Sequence, residues 1–476
     1  MHFSVNDLLN FNKCERLLFL NSFGDKALQT PPTDFMKKLW QMGRKYEANV
    51  TDFFEYEKPK YKVGDHKTGL EETIKLMEKG TEAIYQGVLK NDDLVGIPDF
   101  LIKCKSGKSV FGDYYYYPVD VKSATISRER YLFQLACYAY LLGEIQHFAP
   151  MYGSLLLLDL DLNVKFFPEL MPKVISALEG AKKILSAPDT IPNLFIDSYC
   201  PNCQWYSFCS KEASEKKDLS LMPGIHREHK KKLLEIEVKD YTDLAKCNIE
   251  DIEHLKGFGK EKSEQILIQA KCLTENKIYL KAIPELPLTD KEIYFDFESD
   301  FTFNESGKDF NRIDYLVGVL EKTDTDYKYS HLILEDERTF LQSLGNYFES
   351  HKDYIFYHYG TYEHTVLNGK WNELPKVELF NVEKVIKDSF ILPTTNYSLK
   401  SVAKLIGFSW SNKHSSAMQS MCWYSQYLET KDKKYLDLSI EYNEDDTRAL
   451  LAVVQWIRKI KDSNTDIGFI NNVELG

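Results

Sequence analysis

No run of apolar residues approaches the roughly 18 that a membrane-spanning helix needs. The opening residues, MHFSVNDLLNFNKCERLL, carry no basic segment leading into an apolar core, so no secretory signal is expected either. Cysteine is sparse, nine in 476 residues, too few for a disulfide scaffold and in keeping with a cytoplasmic protein. No GxxxxGK[ST] loop occurs, so no ATP-driven motor is encoded. Low-complexity tracts and long-period repeats are absent from the sequence. Positive charge is not in excess: 60 Lys+Arg against 72 Asp+Glu leave a net −12. Binding to a polyanion through bulk charge is thereby excluded, and any nucleic-acid contact must be local. Aromatic residues are plentiful, with 30 Tyr and 28 Phe, which excludes long disordered stretches.

The length predicts about two to four domains of mixed α/β type. Residues 1–210 mix helical and strand patterns and end in a cysteine cluster; residues 211–285 are Lys/Glu-rich, helical in pattern and close to neutral; residues 286–476 begin a fresh strand-first α/β pattern. The stretch KAIPELPLTDKE (281–292), with two prolines, reads as a linker.

The first chemical constellation is VGIPDFLIKC (95–104) followed by YYYYPVDVKSA (114–124). Alternate side chains of a strand share a face, so Asp120 and Lys122 are expected to point one way and Val119 and Val121 into a core. Asp99 joined to Asp120 can hold Mg²⁺ or Mn²⁺, hard cations that take oxygen ligands. A lysine beside them can stabilise developing negative charge. On the following helical pattern Gln134 and Tyr138 fall four residues apart on one face. The set Gly96-Ile-Pro-Asp99, Asp120-Val-Lys122 and Gln134-Leu-Ala-Cys-Tyr138 resembles the RecB branch of the PD-(D/E)XK nucleases. The resemblance implies a restriction-endonuclease-like fold. It also implies a further acid on an early helix, a role that passes to Glu47 in Gly43-Arg-Lys-Tyr-Glu47.

Cys200, Cys203 and Cys209 give CxxCx₅C, with Cys14 far upstream. Four thiolates suit either a cubane iron–sulfur cluster or tetrahedral zinc, and spacing does not choose between them. The resemblance implies iron: relatives of the RecB-like nucleases with a 4Fe-4S cluster place one cysteine before the nuclease core and three after it. Cys104, Cys137, Cys247, Cys272 and Cys422 read as small buried hydrophobes.

In residues 249–272, two helical patterns flank Leu255-Lys-Gly257-Phe-Gly259-Lys260. Glycines at such a turn free backbone N–H groups for phosphate oxygens. The segment resembles a helix–hairpin–helix motif, with Gly257, Gly259, Lys260 and Lys262 as its expected nucleic-acid contacts. A weaker copy starts at Met222-Pro-Gly224-Ile225, where His226 replaces the second glycine.

The last constellation is again acidic. In KEIYFDFESD (291–300), Asp296 and Glu298 share one strand face, and Ile293, Phe295 and Phe297 the other. A second strand pattern, DYIFYHYGTYEH (353–364), ends in Tyr362-Glu363, and LSIEYNEDDTRALLAVVQWI (438–457) reads as a helix with Tyr442 and Asp446 four apart. This resembles the DEDD exonucleases of the RNase H-like fold, in the subtype with YxxxD, and YprB-like domains in particular. That implies two metals held by Asp296, Glu298, Glu363 and Asp446, with Tyr442 orienting water. Glu363 stands where these enzymes usually carry aspartate. Asp445 breaks the spacing, and Asp388 reads as structural.

Read together, the motifs imply a metal-dependent nuclease acting on DNA more than RNA, on single strands or free ends, in a repair-type role. Neither membrane nor ATP is involved, and a helicase partner is compatible. The alternative is a nucleic-acid-binding scaffold that has lost chemistry. By completeness of motif, the Asp99/Asp120/Lys122 site is expected to be the main engine.

Overall fold

A computed structural model describes residues 3–52, 55–124, 126–158, 162–303, 310–323, 326–413, 415–463 and 466–471. The chain divides into two compact units. One holds Met1–Leu194, Asn202–Ser207 and Thr302–Asn311; the other holds Phe195–Pro201, Phe208–Phe301 and Arg312–Gly476. The middle segment 211–285 therefore falls with the C-terminal part.

The first unit is built on a five-stranded sheet in the order Ala83–Tyr85, Phe100–Cys104, Tyr115–Val121, Tyr152–Leu156, Leu162–Phe166. Only Tyr115–Val121 and Tyr152–Leu156 run parallel; the other neighbours are antiparallel. The helix Glu129–Gln146 supplies the parallel crossover. Its ERYLFQLACYAYLL sequence is apolar on most sides, as expected for a helix buried in a core rather than laid on a surface. Phe133, Leu135, Ala136, Leu141 and Leu142 sit there against Leu101, Tyr116 and Leu155. The opposite sheet face carries a smaller core, in which Tyr46 and Val50 of the helix Asp34–Thr51 meet Phe100, Val119 and Val121.

The second unit contains another five-stranded sheet, ordered Tyr327–Ile333, Phe310–Lys322, Glu292–Phe303, Ile355–His358, Glu378–Asn381. Numbered along the chain, these are the third, second, first, fourth and fifth strands of the sheet. The strands Glu292–Phe303, Ile355–His358 and Glu378–Asn381 run parallel, and Tyr327–Ile333 is antiparallel to its neighbour. On one sheet face Ile293, Phe295 and Phe297 pack with Phe340, Leu344 and Phe356, as the alternation predicts. On the other lies the 30-residue helix Lys433–Asp462, about 45 Å long at 1.5 Å per residue. Its buried residues Ala449, Leu450, Val453, Val454, Trp456 and Ile457 fill a core with Tyr294, Tyr357 and Ile386. One charged pair braces this helix: Arg458 donates to Glu292, whose carboxylate is fully buried and also accepts from the Tyr294 hydroxyl at 2.9 Å.

The hairpin segment forms its own small core from Leu219, Leu233, Leu244, Ile252, Phe258 and Ile266. The expected linker holds no helix or strand between Ile278–Leu280 and Glu292–Phe303. Among the described residues no helix is long and apolar enough to cross a membrane.

Candidate active sites

Asp296 and Glu298 project from the first strand of the second sheet; Tyr442 and Asp446 project from the long helix. Together they bring three carboxylates into one place. Ligand oxygens of Asp296, Glu298 and Asp446 lie within 4.8 Å of one another, and among the described residues this is the one group of three or more His, Cys, Asp or Glu so arranged. Burial and mutual repulsion make the cluster costly without a cation. Burial, then Glu298, Asp446 and Glu363, push Asp296 well above the usual carboxylate range. Burial and then Asp446 do the same to Glu298. Burial lifts Asp446 to about 6, against hydrogen bonds from Trp410 and Tyr442.

These acids are held from several directions. The Trp410 indole N–H donates to Asp446 Oδ1 at 2.7 Å. The Asn443 side chain donates to Asp296 Oδ2 at 3.0 Å and to the Asp296 carbonyl at 3.2 Å. Lys400, from the helix Leu399–Leu405, lies over the Trp410 ring at 5.2 Å and the Tyr442 ring at 6.0 Å. Burial holds its amine below the usual range, while Asp446 pulls it up. Asp445, the residue beside the YxxxD spacing, is turned away to an anchor, accepting from the Ser411 N–H at 2.8 Å and hydroxyl at 3.0 Å.

Glu363 departs from its expected setting. It does not end a strand: the strand stops at His358, Gly360 takes a left-handed φ of 96°, and Tyr362 and Glu363 open a short helix, Tyr362–Asn368. Glu363 is only 3% exposed, and its Oε2 lies 3.3 Å from His358 Nδ1, off the line of a hydrogen bond. It is near enough to raise Asp296 but stands outside the three-acid group.

In the first unit, Asp99 immediately precedes the strand Phe100–Cys104, and its Oδ2 accepts the Val121 N–H at 2.7 Å. Asp120 lies within Tyr115–Val121, 1% exposed, and forms an ion pair with Lys122 one residue beyond the strand. Burial, then Asp120, hold Asp99 well above the usual range. Burial opposes the charge on Lys122, but Asp120 and Asp99 outweigh it and keep the amine high. The Gln134 amide donates to the Tyr138 hydroxyl at 2.9 Å, one turn along the same helix. Glu47 accepts from the Tyr85 hydroxyl at 2.9 Å and the Gln86 amide at 3.2 Å, and its charge is felt at Asp99.

The iron–sulfur expectation finds no support here. Cys14 sits between the helices Val5–Lys13 and Glu15–Phe23, Cys200 in a 3₁₀ turn and Cys209 in the helix Tyr206–Glu215. Cys14 and Cys203 belong to the first compact unit and Cys200 and Cys209 to the second. Of the five remaining cysteines, Cys137, Cys272 and Cys422 are buried as expected. Cys104 and Cys247 are only half-buried, and Cys104 lies 3.0 Å from the Ser106 hydroxyl and 3.3 Å from that of Tyr152.

In the hairpin segment Gly257 and Gly259 take φ of 96° and 71°, and Gly259 caps the helix Lys260–Glu275. A side chain at Gly257 would press on the His229 ring, 3.1 Å from the Cβ position. The space beside Gly259 is open. Lys260 is exposed in the first turn of that helix. Lys262 is turned inward, 3.0 Å from His229 Nε2 and donating to the Gly257 carbonyl at 3.2 Å. Gly224 of the weaker copy also has positive φ, 83°.

A family model described as the RNase H superfamily matches residues 293–458, the span holding Asp296, Glu298, Glu363, Tyr442 and Asp446. This part of the chain is an RNase H-like domain, a class whose members are typically nucleases acting through divalent metals. No curated protein matches the chain.

Proposed function

We propose that the chain is a divalent-metal-dependent nuclease whose principal hydrolytic centre is Asp296, Glu298 and Asp446. The observation that carries this is the convergence of three carboxylates within 4.8 Å, all held above their ordinary pKa range by burial or by one another. Such a cluster fits a hard divalent cation, which replaces the protons the acids otherwise need. Bound Mg²⁺ or Mn²⁺ would supply positive charge to a phosphoryl oxygen and lower the pKa of water.

The side chains have distinct parts. Asp296, Glu298 and Asp446 hold the cation, with Glu363 as a further acid beside Asp296. Tyr442, hydrogen-bonded to Asp446, presents a hydroxyl that orients the attacking water. Asn443 and Trp410 fix two of the carboxylates. Lys400 offers a positive charge to an incoming phosphodiester. A terminal nucleotide of DNA is the preferred substrate, cleaved in the 3′-to-5′ manner of DEDD enzymes.

On this reading the three-acid centre, rather than the Asp99/Asp120/Lys122 site expected from motif completeness, is the main engine. Asp99, Asp120 and Lys122, with Glu47, Gln134 and Tyr138, form a second, PD-(D/E)XK-like site in which a lysine already neutralises one acid. Gly257, Gly259, Lys260 and Lys262 are read as non-specific backbone contacts. An iron–sulfur role for Cys14, Cys200, Cys203 and Cys209 rests on their order along the chain and on the family resemblance, and iron analysis of anaerobically purified protein tests it. The hydrolytic reading is tested by incubating labelled single-stranded DNA with Mn²⁺ and wild-type or Asp446→Asn protein. Nucleotide release by the wild type alone is expected.

A further inference from the structure

A cavity of about 540 Å³ opens in the second unit between the hairpin segment and the RNase H-like domain. Its chemistry is cationic. Lys262 enters from the helix Lys260–Glu275, Lys281 from the stretch after the strand Ile278–Leu280, and Lys387 from the helix Val382–Ser389. One carboxylate, Glu261, lines the same space. Three ammonium groups against one acid leave it net positive in a chain of net −12.

Among the described residues, two of these lysines form no ion pair with a carboxylate. Lys262 contacts His229 and the Gly257 carbonyl. Lys281 donates to the Lys387 carbonyl. Burial lowers both amines, and at Lys281 the nearby Asp388 charge partly offsets it. Lys387 pairs with Glu383 at 2.7 Å, with half its side chain in solvent. The remaining wall mixes apolar side chains, Pro223, Ile266, Phe390 and Ile391, with polar ones such as Gln269 and Tyr397. The Tyr397 hydroxyl donates to Gln269 Oε1 at 3.3 Å.

Position links the cavity to the acid cluster. Tyr397 lines the cavity and Lys400 flanks Asp446 and Tyr442. They are three positions apart, at most roughly 11 Å of chain. One short stretch of chain thus contributes both to the cavity wall and to the flank of the acid cluster.

We propose that the cavity is a phosphate subsite for the strand that the acid cluster hydrolyses, with Lys262, Lys281 and Lys387 taking phosphate oxygens. The assignment rests on the nuclease reading for the identity of the strand. It predicts recognition of backbone rather than base, because ammonium groups act as point charges without sequence information.

The test reads binding without cleavage. Fluorescence anisotropy of a fluorescein-labelled oligothymidylate is followed against salt, in full-length Asp296→Asn protein. The double variant Lys281→Ala/Lys387→Ala should weaken binding by about tenfold or more, and flatten the salt slope by about one. The corresponding Arg variants should retain both. Lys387→Glu, at an exposed position where folding is not at risk, should weaken binding in the same direction. Unchanged affinity and slope in the Ala double variant and in Lys387→Glu, or no binding by the parent protein, overturns the subsite. Lysine-dependent binding alongside a wild type that never hydrolyses the strand would leave the subsite standing and sink the nuclease reading instead.

Discussion

Asn443 reaches across from the long helix to grip Asp296, donating to its carboxylate at 3.0 Å and to its carbonyl at 3.2 Å. The reach is possible because the strand Phe310–Lys322 carries glycine at 318: a Cβ there would collide with Asn443 Oδ1 and crowd the Tyr329 hydroxyl at 2.9 Å. That hydroxyl in turn donates to Asn443 Oδ1 at 2.9 Å. One absent side chain thus lets a helix amide set the orientation of a strand carboxylate.

Gly318→Ala should displace Asn443. Overpacking of this kind costs about 1–3 kcal/mol, measurable by urea unfolding. Asn443→Ala should leave the strand intact but free Asp296, so hydrolysis should fall more than stability does. Equal activity in Asn443→Ala and wild type would show that Asp296 needs no such brace.

Asp446, lifted to about 6, yields a pH prediction. A carboxyl whose folded pKa is raised favours the folded state at low pH, and that contribution is lost as pH rises through about 6. A cation replaces the proton. Mn²⁺ should therefore raise the melting temperature more at pH 8 than at pH 5, with the increase developing through pH 6. A stabilisation independent of pH would contradict binding at these acids.

Trp410→Phe removes the one indole N–H that reaches Asp446. Loss of a donor to a buried carboxylate costs about 1–3 kcal/mol. Because that bond lowers the Asp446 pKa, its removal should move the acid limb of the rate profile to higher pH. An unshifted limb would place the titrating group elsewhere.

In the first unit, Asp120→Ala leaves Lys122 in a buried setting with Asp99 and the Tyr131 ring as its remaining neighbours of note. Breaking a buried pair costs about 3–5 kcal/mol. Lys122→Met in the same chain should recover much of it. If the double variant is no more stable than Asp120→Ala, the pair is not a stabilising unit.

Much of the acid cluster was legible in sequence because its spacings are local. Asp296 and Glu298 follow the two-residue strand repeat, and Tyr442 and Asp446 the helical turn. So do Gln134 and Tyr138, which meet as expected. What escaped is non-local. Trp410 and Lys400 reach Asp446 only through tertiary packing. Gly318 did leave a trace, since glycine inside an apolar strand, YLVGVL, marks a close approach. Glu363 was placed at a strand end because the apolar pattern of 354–359 runs into it; the turn at Gly360 overrides that pattern. Cysteine spacing spoke for a cluster, yet ligand geometry depends on where distant segments come to lie.

The most direct measurement compares Asp296→Asn with Asp99→Asn in Mn²⁺-dependent degradation of end-labelled single-stranded DNA. Both changes are isosteric, and at position 99 the carboxamide oxygen still accepts the Val121 N–H. Asp296→Asn should lower the rate by about 10²-fold or more, in line with losing a group that stabilises transition-state charge, while Asp99→Asn keeps most of it. Loss of activity in Asp99→Asn with retention in Asp296→Asn would contradict the account and move the chemistry to the first unit.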